Sequence, residues 1–280
     1  MVLWRGLRTA IVTGGAGFIG SAVTSELLRR GLMVLVVGGS ADPITAERLA
    51  PLMTDTLDVI VHCAGTSSVG AAIANPVREH ERTVPPFARL CAAARERAPN
   101  ARVVLISSAA VYGNAAIVPT PEAAPLAPLS PYGRDKQACE AIAQQYGASI
   151  VRLFSVYGAG LRKQLLWDAC NKVGAPVFAG TGDEQRDWLH ISDAVELILI
   201  AAKRPMIVNG GTGGGVRVRD VLALLYKELG GGVTPSFTGE TRAGDPQRYI
   251  ADITLARSLG WAPKMSLARG IADYVAWFRS

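Results

Sequence analysis

The feature that most limits how this chain can fold is a run of glycines close to its amino terminus, Thr13-Gly14-Gly15-Ala16-Gly17-Phe18-Ile19-Gly20. It directly follows Thr9 to Thr13, an apolar run that reads as a strand. It opens Phe18 to Arg30, where Ile19, Val23 and Leu27 recur at the four-residue spacing of a helix that Gly31 ends. A strand that turns into a helix through glycines brings bare backbone N–H groups and the positive end of a helix to one point. Both G-x-x-G-x-x-G from Gly14 and G-x-G-x-x-G from Gly15 suit the holding of a pyrophosphate, so the turn predicts a dinucleotide site.

The same alternation of short apolar runs and helical segments continues down the chain. Leu32 to Val37, Asp58 to Ala64, Arg102 to Ser107 and Ala148 to Phe154 read as further buried strands, which predicts an α/β fold with a doubly wound parallel sheet of the Rossmann type. Pro119 to Pro131 is proline-rich and reads as a loop bordering a site. Beyond Tyr157 the pattern turns to glycine-rich turns and short helical stretches. We therefore expect a dinucleotide-binding domain over residues 1–158 and a smaller, mainly substrate-binding C-terminal domain over 159–280. Within the latter, Asp193 to Ala202 reads as a helix returning to the main sheet, in a segment of roughly 190–210, and Val216 to Gly230 as a helix of the smaller part.

Composition excludes several other classes. With 280 residues, 49% of them hydrophobic, there is material for a large core. The net charge of +6 is spread over pairs such as Arg29-Arg30, Arg162-Lys163 and Lys203-Arg204, not gathered into a nucleic-acid-binding block. Cys63, Cys91, Cys139 and Cys170 lack the spacing of a zinc site or a disulfide framework, and His62, His80 and His190 are not spaced as ligands, so no metal is expected. Met1 to Arg8 has no apolar leader core, and the greasiest run, Ala194 to Ala202, is short and contains Glu196. A cytoplasmic protein with no membrane segment is the expectation.

Two further patterns bear on chemistry. The second strand runs into Gly38-Gly39-Ser40 without the acidic residue that usually holds the ribose hydroxyls of NAD, so NAD or NADP is admitted. Further on, Tyr132-Gly133-Arg134-Asp135-Lys136 places a phenol and an ammonium on one face of a helix that Ser130 can cap, with Pro131 in its first turn. An ammonium beside a phenol favours negative charge on its oxygen, which suits Tyr132 to general-base work. Ser107-Ser108, at the end of the preceding strand, offers a hydroxyl for the reacting oxygen.

Together these stretches resemble the extended short-chain dehydrogenase/reductases, and among them the nucleotide-sugar epimerase/dehydratase family that includes UDP-glucose 4-epimerase. The glycine turn is joined by His62-Cys63-Ala64-Gly65, Ser107 to Gly113, Ser130 to Lys136, Arg152 to Gly158, Gly180 to Trp188 and Arg242-Ala243-Gly244-Asp245, in the family's order over nearly the whole chain. The resemblance implies that Ser108, Tyr132 and Lys136 are catalytic. It implies that Gly14, Gly15, Gly17, Phe18, Ile19, Gly20, Gly38, Gly39, Ser40, Cys63, Ala64, Gly65 and Phe154 line the cofactor with Tyr132 and Lys136, and that Asp42 reaches the adenine. Ser155, Arg186, Arg242 and Asp245 would hold a nucleotide-diphosphate sugar, paired guanidinium groups being suited to a diphosphate. A homodimer pairing the helices that end at Arg97 and follow Ser130 is also implied. The chain departs from the family where Gly20 to His62 is short, at Thr83 and Ser155, where asparagine is usual, and at Ala109-Ala110, where dehydratases carry acids.

The expected reaction is NAD(P)-dependent epimerisation through a 4-keto sugar: Tyr132 removes a hydroxyl proton, Ser108 bonds the reacting oxygen, and Lys136 tunes the phenol and holds the ribose. An NADPH-dependent reductase of 4-keto nucleotide sugars is the alternative, and a non-catalytic dinucleotide-binding sensor or scaffold a minor one. With no acid closing the second strand, calorimetric titration is expected to find NAD and NADP binding alike. A preference for NAD above about a hundredfold, roughly 2.7 kcal/mol, would mean that another group replaces the missing carboxylate.

Overall fold

The computed structural model describes residues 8–38, 44–172, 174–240 and 246–280. β1 (Thr9–Thr13) enters the glycine turn and α1 (Phe18–Arg29) leaves it, followed by β2 (Met33–Val37), α2 (Ala46–Leu49) and β3 (Val59–His62). Then come α3 (Val69–Ala74), α4 (Pro76–Glu81), α5 (Val84–Arg97), β4 (Arg102–Ser108), a single 3₁₀ turn over Ala109–Val111, α6 (Pro131–Gln145) and β5 (Ser149–Leu153). The later chain forms β6 (Ser155–Tyr157), α7 (Gln164–Cys170), β7 (Val177–Phe178), β8 (Gln185–Arg186), β9 (Trp188–His190), α8 (Ile191–Ala201) and β10 (Ile207–Gly210). It ends with β11 (Val216–Arg217), α9 (Val218–Glu228), β12 (Ser236–Phe237), β13 (Arg248–Tyr249), α10 (Thr254–Ser258) and α11 (Leu267–Arg279).

Two compact units result, the first made of Met1–Tyr112, Leu126–Arg152 and Val195–Val208. Its strands enter a six-stranded sheet in the order β10-β5-β4-β3-β1-β2. β1 pairs in parallel with β2 on one side and β3 on the other, and β3 in parallel with β4. The doubly wound fold is thus as expected. Because the chain moves outward from β1 to β2 and then back across to β3, the switch point lies between β1 and β3, where such sheets open a crevice at their carboxyl ends. Thr13 and His62 end those strands in register.

One face of the sheet is packed by Ile11, Ile60, Leu105 and Ile150 against Phe87 and Leu90 of α5. Among the described residues nothing pairs beyond β2, and Met33, Leu35 and Val36 are exposed on this edge strand. The short connection from Gly20 to His62 leaves few residues for anything outside it.

The second unit comprises Gly113–Pro125, Leu153–Ala194 and Asn209–Ser280. Its strands are short: β8 lies between β11, antiparallel, and β13, parallel, while β7 pairs with β12 and β6 with β9. Asp187, fully buried between β8 and β9, gathers this unit. Its carboxylate accepts from the Thr212 N–H and hydroxyl, at 2.5 and 2.7 Å, and from the N–H groups of Gly213 and Ala251, at 3.0 and 3.1 Å. The tryptophans pack in this unit as their size favours: Trp261 is buried and donates to the Asp193 carbonyl at 3.1 Å, and Trp167 lies against Trp277 and Phe278.

His62 is buried, its Nδ1 2.8 Å from the Thr13 hydroxyl, and burial together with the charge of Lys136 pushes its pKa down to about 3. The unfolded chain therefore binds the proton first, and stability falls as pH drops below the free imidazole value near 6.5. His62 alone is expected to remove roughly 1.4 kcal/mol per pH unit between about 6 and 4. Urea unfolding of His62→Gln beside the parent at several pH values checks it, the variant showing the shallower slope.

Candidate active site

The carboxyl ends of β1 and β3 meet backbone to backbone. Cys63 N–H donates to the Thr13 carbonyl at 3.1 Å and Ala64 N–H to the Thr13 hydroxyl at 3.3 Å. Gly14 has a φ of +66°, and a Cβ there would lie 2.8 Å from the Ala64 nitrogen. A Cβ at Gly20 would strike the Gly14 carbonyl oxygen. These two positions exclude side chains, so Gly14, Gly15 and Gly17 lead into Phe18, Ile19 and Gly20 as open backbone. α1 starts from Gly17 with no side chain capping it, which leaves its first N–H groups to an anion. The cradle fits the pyrophosphate of a dinucleotide.

Cys63, Ala64 and Gly65 line the adjoining turn. Burial pushes the Cys63 thiol up to about 12, so it stays protonated. Below this turn Thr66 N–H donates to the Thr83 hydroxyl at 3.0 Å, and the Thr66 hydroxyl donates to Glu79. Gly38 follows β2 at a φ of +94°, a backbone that L side chains adopt at a cost of about 1–2 kcal/mol. An acid at that position is disfavoured by the chain itself. Gly39, Ser40 and Asp42 lie outside the described residues.

α6 begins as its sequence predicts: Ser130 Oγ accepts from Gly133 N–H at 3.1 Å, with Pro131 in the first turn. Its start abuts the segment after β4, since a Cβ on Gly133 would lie 2.6 Å from the Ala110 carbonyl oxygen. Tyr132 and Lys136 share a face, with Lys136 Nζ 5.9 Å from the Tyr132 ring centroid. Lys136 is buried and donates to the Ile106 carbonyl at 2.9 Å, two residues before Ser108. Ser108 Oγ accepts from Ala110 N–H at 3.2 Å. The first unit thus carries the glycine cradle, Ser108, Tyr132 and Lys136 together.

Other predicted site residues stand in the second unit. Phe154 is buried with its ring 5.5 Å from that of Tyr249, and its N–H donates to the Gly210 carbonyl at 3.0 Å. Ser155 is half-buried at the start of β6. Arg186 Nη1 donates to the Gln185 and Pro246 carbonyls at 3.0 and 2.8 Å, which fixes the guanidinium beside the segment that follows Asp245. Arg242 and Asp245 themselves lie outside the described residues. Sequence reading missed Glu140 and Arg152, an ion pair at 2.7 Å beneath α6. The signal was present, because Glu140 follows Lys136 by one helical turn. Among the described residues no group of acids, histidines and cysteines is placed to hold a metal, and no helix is long and apolar enough to cross a membrane.

A Rossmann-type sheet with a glycine cradle at its switch point and a Ser/Tyr/Lys set beside it defines a nicotinamide-dinucleotide enzyme. Residues 10–212 match the NAD dependent epimerase/dehydratase family, and the chain belongs to that family, with NAD as its cofactor. It is similar to UDP-glucose 4-epimerase of Azospirillum brasilense, 30% identical, with 96% of this chain and 92% of that one covered. Among solved structures it resembles UDP-glucose 4-epimerase of Thermotoga maritima with UDP-glucose, at a TM-score of 0.88 and 27% identity, covering 97% of this chain and 98% of that one. It also resembles MoeE5 in complex with UDP-glucose and NAD, at a TM-score of 0.85 and 28% identity, covering 97% and 98%.

Gly20→Ala is the sharpest test of the cradle, since the added methyl meets backbone that cannot step aside. NAD affinity measured by calorimetry is expected to fall by more than about tenfold while the circular dichroism spectrum is kept.

Proposed function

We propose that this chain is an NAD-dependent epimerase acting at a ring hydroxyl of a nucleotide-diphosphate sugar, of the UDP-hexose class. The observation that carries the reading is the seating of α6 on β4, which holds Lys136 at the Ile106 carbonyl and beside Tyr132, with Ser108 two residues further along the strand. In this reading Tyr132 takes the proton of the sugar hydroxyl onto its phenolic oxygen, and Ser108 keeps that sugar oxygen in place by hydrogen bonding. Lys136, one helical turn away, carries the positive charge that offsets the phenolate oxygen from which this proton uptake starts. Tyr132 later returns the proton to the same oxygen. NAD, when bound, supplies the acceptor and donor for the carbon-bound hydrogen. The glycine cradle, the α1 amino terminus, Cys63, Ala64 and Gly65 would hold it. Absence of a carboxylate among the described residues ending β2 also admits NADP.

Arg186 and Arg242 would hold the nucleotide diphosphate, while Ser155 and Asp245 would contact other parts of the sugar nucleotide, with residues 159–280 serving mainly as the substrate-binding part. Ala109 and Ala110 follow Ser108 where dehydration would need acids, which favours epimerisation over loss of water. The curated and structural relatives named UDP-glucose 4-epimerase favour it over one-way reduction. A cytoplasmic homodimer joined through α5 and α6 completes the reading, and light scattering of the purified protein checks the dimer.

The test mixes enzyme and trace NAD with UDP-glucose, UDP-galactose or UDP-N-acetylglucosamine and resolves the products by chromatography. Epimer is expected to form without net reduced nicotinamide. Consumption of NADPH one for one by a 4-keto sugar, with no epimer from any sugar nucleotide, would overturn the proposal in favour of a reductase. Tyr132→Phe is expected to retain NAD binding and to lower turnover by roughly 10²- to 10⁴-fold.

A further inference from the structure

Beneath the Ser/Tyr/Lys set lies a second constellation made wholly of buried polar groups. Glu140 and Arg152 have side chains 1% and 3% exposed. Arg152 Nη2 donates to Glu140 Oε2 at 2.7 Å, and Nε lies 3.0 and 3.1 Å from the two carboxylate oxygens. Each partner is also bonded beyond the pair. Glu140 Oε1 accepts from the Ser107 hydroxyl at 2.5 Å, and Arg152 Nη1 donates to the Tyr112 hydroxyl at 2.9 Å, with the guanidinium 4.9 Å from the Tyr112 ring centroid.

The sequence positions of these contacts are informative. Ser107 immediately precedes Ser108, and Tyr112 closes the 3₁₀ turn that follows it. One ion pair therefore grips the Ser108 segment at both ends. The same pair is tied to α6, because Glu140 lies one helical turn past Lys136 and two past Tyr132, while Lys136 grips Ile106, the residue before Ser107. α6 is thus pinned to consecutive residues of β4 by consecutive turns. Arg152, on β5, adds the neighbouring strand.

A buried ion pair is a poor way to gain stability, since desolvating both charges costs about as much as their attraction returns and apolar replacements of similar volume are often as stable. What it adds is direction: a carboxylate and a planar guanidinium accept partners only at set angles and distances. We propose that the Glu140–Arg152 pair is a positioning device, holding Ser108 in register with Tyr132 and Lys136. Neither residue is assigned contact with substrate or cofactor. The inference rests on the epimerase reading for its kinetic test, and a spectroscopic test stands apart from it.

Three variants separate positioning from folding. Arg152→Lys keeps the charge balance but cannot reach both Glu140 and Tyr112. Glu140→Gln strands a buried guanidinium and is the variant prone to unfold. The double variant Glu140→Gln/Arg152→Met removes both charges and tests the geometry without a stranded ion. In folded Arg152→Lys and in the double variant, kcat is expected to fall by about tenfold or more while KM for the sugar nucleotide and the NAD dissociation constant stay within about threefold. In fluorotyrosine-labelled protein, the Tyr132 resonance, assigned by its loss in Tyr132→Phe, should shift in both variants. Folded variants with kcat within about twofold of the parent would overturn the proposal. If the parent turns over no sugar nucleotide, the epimerase reading fails alone, and an unmoved Tyr132 resonance in the folded variants would then overturn the positioning role.

Discussion

The structure depends on one close approach, the meeting of the glycine turn with the residues that end β3. Thr13 serves both sides of it, its carbonyl accepting from Cys63 and its hydroxyl from Ala64, while Gly14 comes so near the Ala64 backbone that no side chain fits between them. Everything needed for a dinucleotide follows from that contact. It sets the start of α1, leaves the helix N–H groups open, and brings the turn after β3 alongside the cradle. The contact arises because the chain reverses its direction of travel across the sheet at β1, which places β1 and β3 side by side.

The second constraint is electrostatic. Lys136 and Glu140 on α6 and Arg152 on β5 are charged side chains removed from water, and each is bonded: the lysine to the Ile106 carbonyl, and the pair to one another. Groups that cost so much to bury tolerate little displacement, because each lost partner leaves an uncompensated charge or donor. The helix bearing Tyr132 is therefore held more narrowly than apolar packing alone would hold it. His62 and Cys63, beside the cradle, show the complementary effect, burial keeping one imidazole and one thiol uncharged.

Much of the first unit was legible in the chain because its signals are local. Strand, glycine turn and helix follow one another within residues 9–29, and Ser130 and Pro131 announce α6 by capping chemistry that spans three residues. Boundaries moved by one or two residues: β3 stops at His62 where Ala64 was expected, since Cys63 and Ala64 turn away to bond Thr13. α9 starts at Val218 because Val216 and Arg217 pair with β8. The exposed edge at β2 was foreshadowed only as a shortened segment. Which strand it would uncover depends on sheet order, and that is written in no single stretch of sequence.

By itself the sequence determined the kind of ligand and the chemical groups. A pyrophosphate cradle needs glycines at fixed spacing before a helix, and a phenol and an ammonium four residues apart on a helix must share a face. Tertiary structure alone decided how those groups are held. That Glu140 reaches back to Ser107, that Arg152 spans from Glu140 to Tyr112, and that Asp187 collects donors from Thr212, Gly213 and Ala251 are contacts between residues 12 to 64 positions apart. Local propensity is blind to them, because a buried polar group takes whichever partner the packed chain brings within hydrogen-bonding distance.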